Sequence, residues 1–263
     1  MAYMHYLYLA TLLIVSLEVV MGRHKGVYDR QTILVTIGCI VGSAASRPLA
    51  AALVAFLMAG LLPSFKGALA KSDGILAFVA VFTIAEFCFY WVHRWAHSCM
   101  AGPHTWLWKL HRTHHSGKFM NVGLTLRLNA FWAFVVPTMW VIGIATYLGL
   151  EQAAAATLVT IYAWNLITHS HFRWDDPIRS NRFSGPVFRA LEHVLVSPGI
   201  HHTHHGYGKD GAIYRNFAVT LSLMDWVFGT LHIPSGRPSR YGLPGSNAHW
   251  AEEVLYPLVQ LKN

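Results

Sequence analysis

Apolar stretches separated by short polar segments dominate the first two thirds of the chain. Residues 3–21, 74–92, 131–150 and 153–168 are apolar runs close to the roughly 20 residues needed to cross a bilayer as a helix. Residues 32–62 are also apolar but are interrupted by Ser46-Arg47-Pro48. That region is too long for one straight crossing and too short for two, so a single crossing with a broken or interfacial second half is expected. Runs 131–150 and 153–168 form a helical hairpin with a very short turn near Glu151. Glu18 and Ser16 inside the first run require it to pack against other helices.

From Arg173 onward no run is apolar enough to span. Asp175-Asp176-Pro177, Ser197-Pro198-Gly199 and 233–245 are rich in turn residues, and 183–195 and 217–228 read as short amphipathic helices between them. The pattern predicts an all-α integral membrane protein with four to five transmembrane helices and a cytosolic helical cap. Residues 1–73 would supply N-terminal membrane helices, and 74–263 a catalytic domain of membrane helices plus cap.

Composition agrees with a membrane chain. Hydrophobic residues make up 54% and charged residues 12%, with a mean hydropathy of +0.37. The net charge of +8 could point to nucleic acid, but the cations are spread over loops beside apolar runs, so no nucleic-acid partner is expected. Arg23, Lys25 and Arg30, then Arg94, Lys109, Arg112, Lys118 and Arg127, then Arg173, Arg179, Arg182 and Arg189 share one face if 32–62 crosses once. The positive-inside rule makes that face cytoplasmic, with Lys66 and Lys71 as exceptions. Residues 1–8 carry no Lys or Arg and no cleavage site precedes Arg23, so the first run reads as a retained span. Cys39, Cys88 and Cys99 are odd in number and scattered, which argues for a reducing compartment. The chain's modest length and the absence of a retrieval signal at Leu261-Lys262-Asn263 favour a bacterial inner membrane.

The chemistry lies in the histidines. Eight of 17 fall in three sets: His93 and His97 in H-R-W-A-H, His111, His114 and His115 in H-R-T-H-H, and His201, His204 and His205 in H-H-T-H-H. Residues three or four apart share a helix face, and adjacent ones diverge by about 100°, so each triplet can reach two metal positions. The first pair is no zinc-protease motif, because Arg94 stands where that motif needs Glu. One triplet could be a basic surface patch; its repetition ninety residues later on the same face points to a polynuclear metal site. His169, ending the fifth run at the depth of His93, joins the ligand set. His171 and His202 are open between ligand and supporting roles. Glu86 continues the His93 face and reads equally as an acid paired with a cation such as Arg47 or as a carboxylate orienting a ligand imidazole.

Eight or nine histidines exceed the three or four ligands of zinc sites, and carboxylates are too scarce for a soluble-type di-iron site. A histidine-rich di-iron centre in a membrane, acting on a lipid, fits this donor set best.

The three histidine sets, with S-P-G before the last and R-N-F-A-V-T-L-S-L-M-D-W-V-F-G-T after it, resemble the fatty acid hydroxylase and sterol desaturase superfamily over about 75–241. Asn216, Asp225, Gly229 and Thr230 match its closing segment; Glu86 stands where Asp is common, and Asn216-Phe217-Ala218 where Asn-Tyr-Gly is usual. The resemblance implies a dioxygen-dependent enzyme with two non-haem iron ions held by His93, His97, His111, His114, His115, His169, His201, His204 and His205. It implies hydroxylation, desaturation or demethylation of a lipid. There is no C-x-x-C and no dinucleotide glycine fingerprint, so electrons must come from a small cytochrome or ferredoxin with its reductase. Trp91, Trp95, Trp106, Trp108, Phe119 and Trp132 are candidates for the lipid pocket or for interface anchors. Two other classes remain: a membrane zinc hydrolase using part of the cluster, and a non-catalytic metal transporter or store.

Overall fold

The computed structural model describes residues 2–21, 27–245 and 247–261. Arg23, His24, Lys25, Lys262 and Asn263 therefore lie outside the described residues, as does the side chain of His5.

Apart from one two-residue strand pair, the regular elements of the described chain are all helices. Helix α1 (Ala2–Val20) is followed by α2 (Arg30–Leu61) and α3 (Ile75–Ser98). By length and composition α2 and α3 can cross a membrane, and α1 is a shorter apolar helix. Helix α2 starts where Asp29 caps the Thr32 N–H at 2.7 Å and runs unbroken for 32 residues, about 48 Å. The expected break at Ser46-Arg47-Pro48 is absent. Proline removes one backbone donor, but α2 is held on both sides of it: Gly38 and Gly42 abut Val254 and Ala130, and Val54 abuts Gly143.

Helix α4 (Trp106–His115) turns back from α3 and carries the middle histidine set. The expected span over 131–150 is also corrected. It begins as a 3-10 turn, Trp132–Phe134, and Pro137 then opens an 11-residue helix, α5 (Pro137–Tyr147), about 16 Å long and too short to cross alone. After a turn at Gly149, α6 (Glu151–His169) runs 19 residues to its terminal histidine. It is less apolar than α2 or α3 because Gln152, Thr157, Thr160, Asn165 and Thr168 interrupt it.

The rest of the chain folds as short helices over the ends of α3, α4 and α6. These are α7 (Asp175–Ser180), α8 (Ser184–Leu191), α9 (Pro198–His205), α10 (Leu223–Val227) and α11 (Trp250–Leu255). Strands β1 (Gly206–Tyr207) and β2 (Arg240–Tyr241) pair antiparallel. The amphipathic helix expected over 217–228 forms only at its end. Upstream the backbone is irregular and held by side chains: Asp225 accepts from the Phe217 and Ala218 N–H groups, and Glu86 from those of Thr220 and Leu221. Those donors are satisfied by carboxylates and have no need of a helix.

Two buried acids tie the layers together. Glu18 on α1 accepts from the Val122 N–H at 3.1 Å and the His171 N–H at 2.6 Å, so α1 packs inward through this residue, whereas Ser16 is exposed and bonds the Leu12 carbonyl of its own helix. Asp175 accepts from Arg179 and from the Gly199 N–H at the start of α9.

Candidate metal centre

Four helix ends deliver nine imidazoles to one place. His93 and His97 lie on one face of α3, His111, His114 and His115 on α4, and His169 ends α6. His201, His204 and His205 lie on α9, whose first turn is set by Ser197 accepting the Ile200 N–H and by Pro198. The nine divide into two groups, each with candidate ligand atoms within 4.8 Å of one another: His93, His97, His111, His115 and His204, and His114, His169, His201 and His205. Adjacent residues part company as helix geometry demands, His114 from His115 and His204 from His205.

Within the groups nitrogen faces nitrogen. The Nε2···Nε2 separations are 3.1 Å for His93 and His204, 3.0 Å for His111 and His115, 3.2 Å for His114 and His169, and 3.0 Å for His169 and His201. Behind them, His93 Nδ1 meets the Phe217 carbonyl at 2.6 Å and His204 Nδ1 the Arg215 carbonyl at 2.7 Å. His114 and His169 meet the carbonyls of Leu124 and Asn165 in the same way. A carbonyl only accepts, so each of these Nδ1 atoms carries the hydrogen and each Nε2 presents a bare lone pair. Two lone pairs 3.1 Å apart in a buried site repel, and a cation between them removes the repulsion. Nitrogens about 2.1 Å from one ion and at roughly right angles lie about 3.0 Å apart, which is the spacing here.

Electrostatics agree. Burial, and then the neighbouring imidazoles, hold His111, His115, His201 and His205 well below the ordinary histidine range. Burial takes His114 down to about 4 and His204 to about 3. Neutral rings are what a metal needs. Both nitrogens of His97, Nδ1 of His111, His115 and His201, and Nε2 of His205 are buried without a hydrogen-bond partner. No carboxylate enters either group.

The other expected participants fall elsewhere. His202 turns away, its Nε2 3.1 Å from the Ser170 carbonyl beside His169, and His171 Nδ1 lies 3.2 Å from the Met120 carbonyl. Glu86 neither pairs with Arg47 nor holds an imidazole; backbone carbonyls orient the rings instead. Cys99 is buried but joins neither group.

The segment that supplies two of those carbonyls is itself anchored. Asn216 sits at φ 60° between them, with its side chain bonded to the His232 backbone and the Ile200 carbonyl. Asp225 Oδ1 accepts from Thr230 Oγ1 at 2.7 Å as well as from the Phe217 N–H, and Tyr90 OH meets Thr230 Oγ1 at 2.8 Å.

A cavity of about 310 Å³ opens on His93, His111, His114 and His201. Its walls are mostly apolar, from Phe89, Trp132, Val136, Met139, Leu158 and Ile161. Of the aromatic candidates only Trp132 lines it. Trp91, Trp95 and Trp106 are exposed, Trp108 packs against His97 and His115, and Phe119 belongs to a separate core cluster.

Comparison with known proteins matches residues 78–230 to the family model described as fatty acid hydroxylase. The chain belongs to the fatty acid hydroxylase family. The family stretch contains all nine clustered imidazoles together with Glu86, Asp225 and Thr230. Among its relatives, alkylglycerol monooxygenase of Danio rerio is 27% identical over 69% of this chain and 36% of that protein. Methylsterol monooxygenase 2-1 of Arabidopsis thaliana is 29% identical over 57% of this chain and 53% of that protein. A very-long-chain aldehyde decarbonylase of Oryza sativa subsp. indica is 27% identical over 57% and 50%. The chain thus spans about a third to half of these relatives. No solved structure matches it.

Proposed function

We propose that this chain is a di-iron membrane oxygenase that hydroxylates or desaturates a C–H bond of a lipid. The observation that carries the reading is the pair of buried all-imidazole groups at one end of an apolar cavity. His93, His97, His111, His115 and His204 would hold one iron, and His114, His169, His201 and His205 the other. Two iron ions held by these residues would supply the dioxygen reduction and the removal of hydrogen from an unactivated C–H bond.

The protein's own part is placement and exclusion. The carbonyls of Phe217, Arg215, Leu124 and Asn165 fix ring orientation, and burial keeps the rings neutral and dry. The apolar walls hold the target carbon at His93, His111, His114 and His201. Hydroxylation consumes dioxygen, two electrons and two protons and yields an alcohol and water. The sequence has no C-x-x-C and no dinucleotide glycine fingerprint that would mark an electron carrier beside the iron site, so the electrons come from a small cytochrome or ferredoxin with its reductase. The catalytic part is 74–263, and the helices before it complete the cavity through Tyr8, Ser43 and Arg47. The basic loops support a cytoplasmic position for the histidine end, in a bacterial inner membrane. A zinc hydrolase is disfavoured by the ligand number and by the lack of a carboxylate base in either group.

Mössbauer spectroscopy and metal analysis on membranes from cells grown in isotopically enriched iron test this. The expected result is two irons per chain as a coupled pair that oxidises in air. Zinc alone, with no protein-dependent iron signal, overturns the reading.

A further inference from the structure

The amphipathic pattern over 183–195 does fold as a helix, but its apolar side is turned outward. Beyond the bounds of α8 the Gly185 N–H bonds the Asn181 carbonyl and the Leu195 N–H the Leu191 carbonyl, so helical winding continues on both sides. Phe183, Val187, Ala190, Leu191 and Val194 stand at i, i+4, i+7, i+8 and i+11, one stripe of such a helix. Phe183 is 75% exposed and Val187 63%, and the other three are exposed as well. The helix packs inward through Phe188, which meets Trp174, and Glu192, which bonds Arg179. In water a stripe of this spacing turns toward a core; left outside, it marks a contact surface.

That surface is joined to the outer side of α3, a helix long and apolar enough to cross a membrane. On α3, Ile84, Phe87, Trp91 and Trp95 are exposed at i, i+3, i+7 and i+11. Phe228 lies against Phe87 and Trp91, with ring centroids 6.2 Å and 4.9 Å away. Two residues earlier Trp226 is exposed, and its ring lies 5.0 Å from that of His193. The Leu223 N–H bonds the Val194 carbonyl at 3.4 Å, and the Ser222 hydroxyl donates to the Glu192 carbonyl at 2.8 Å. Helix α10 thus bridges the outer side of α3 and the end of α8, and adds the exposed Trp226 and Val227. A water-soluble partner cannot follow this surface onto a helix that crosses a bilayer, whereas lipid can.

Charge narrows the occupant further. Arg182 and Arg189 are seven residues apart on one edge of the stripe. Both are exposed, and among the described residues neither forms an ion pair. The Arg182 guanidinium lies over the Phe183 ring, 4.6 Å from its centroid. The nearby acids are already taken, Glu192 by Arg179 and Asp176 by Arg179 and Arg237. An apolar stripe edged by unpaired arginines matches the boundary between acyl chains and phosphates in an anionic leaflet. We propose that α8 lies in the membrane surface, with Phe183, Val187, Leu191 and Val194 among the acyl chains and Arg182 and Arg189 on the phosphates of anionic lipids. Because α8 leads through Glu192 to Ser197, the cap of α9, the leaflet steadies the helix that carries His201, His204 and His205. The inference rests on the membrane reading of α3 and is independent of the metal.

The test uses the full chain in vesicles of equal parts phosphatidylcholine and phosphatidylglycerol. The photo-crosslinking residue benzoylphenylalanine replaces Val187 or, as a membrane reference, Ile84 of α3; both positions are exposed. After illumination, mass spectrometry identifies what each position has captured. Lipid adducts are expected at both, with phosphatidylglycerol favoured roughly fivefold at 187, the scale of one arginine at a charged surface. Arg182→Gln together with Arg189→Gln should bring that ratio to about one and leave the adducts at 84 unchanged. Lipid at 84 with none at 187 overturns the proposal and leaves α3 in the membrane, and a cross-link from 187 to a second copy of the chain does the same. Lipid at both positions without a head-group preference, or a preference unchanged in the double variant, overturns the assignment of the arginines. No lipid at 84 overturns the membrane reading of α3 and the proposal with it.

Discussion

His93 and His204 face each other with their Nε2 atoms 3.1 Å apart, and both rings are held from behind by carbonyls two residues apart, those of Phe217 and Arg215. One short irregular segment therefore sets the orientation of two imidazoles that belong to different helices. What fixes that segment is Asp225, which takes up the Phe217 and Ala218 N–H groups and the Thr230 hydroxyl without touching a histidine. Asp225→Asn replaces one accepting oxygen by an amine donor that opposes an N–H. Iron affinity should fall about 10- to 100-fold, the usual effect of losing support behind a ligand, while the protein still folds. Metal titration of the purified variant checks this; wild-type affinity would mean that the carbonyls are held by other contacts.

The division of adjacent histidines between two groups makes a stoichiometric prediction. His115→Ala removes a ligand from the five-imidazole group, and His205→Ala one from the four-imidazole group. Each should reduce iron from two per chain toward one, with the loss greater in the smaller set. His202→Ala, whose ring bonds the Ser170 carbonyl instead, should retain two. Metal analysis alongside protein quantitation reads all three, and equal loss in His202→Ala would contradict the grouping.

The histidine set was legible because its spacing is helical: residues three and four apart converge, and adjacent ones diverge, wherever the helices sit. Side-chain identity carried that information. The carbonyls of Phe217 and Arg215 have no such signature, since every residue offers one. Only tertiary structure selects them, although Asn216, Asp225 and Thr230 stood out in the sequence as matches to a closing motif. Glu86 misled for a related reason. Its position on the His93 face is real, but the unfilled donors of 220–221 claim one of its oxygens. Helix α2 outlasted its proline because contacts at Val254, Ala130 and Gly143 outweigh one missing hydrogen bond. The run 131–150 failed as a span because apolarity alone does not reveal that Pro137 restarts the helix.

Acid should weaken the metal-free protein in a defined window. Burial depresses His114 to about 4 and His204 to about 3, from an ordinary value of 6.5. The unfolded chain thus binds protons that the folded chain refuses. The stabilisation is fully present above about pH 6.5 and is lost as pH falls through 6 and 5 toward 4 and 3. The unfolding midpoint of metal-free protein should be level with respect to these groups above pH 7 and fall steadily below 6.5. A midpoint unchanged down to pH 4.5 would mean that the rings are hydrated, not buried neutral.

The helix that carries three of the nine imidazoles depends on an ion cluster remote from them. Arg179 bonds Asp175 at 2.9 Å and also bonds Glu192 directly, and Arg237 pairs with Asp175 from the other side. Asp175 in turn accepts the Gly199 N–H at 2.8 Å, and Ser197, the cap of α9, donates to Glu192. A Cβ at position 199 would come within 2.4 Å of the Arg179 guanidinium and would displace it from these acids. Arg179→Met would leave Asp175 with Arg237 alone and strip Glu192 of its cation in a buried site. The expected loss is about 3–5 kcal/mol of stability, as for other broken buried pairs. Because the first turn of α9 is held by the same acids, iron occupancy of the group containing His201 and His205 should fall further than stability alone explains. Denaturant unfolding together with metal analysis separates the two effects. A variant destabilised by about 2–5 kcal/mol through a core truncation away from α9, Leu150→Ala, should retain its iron when kept below its unfolding midpoint.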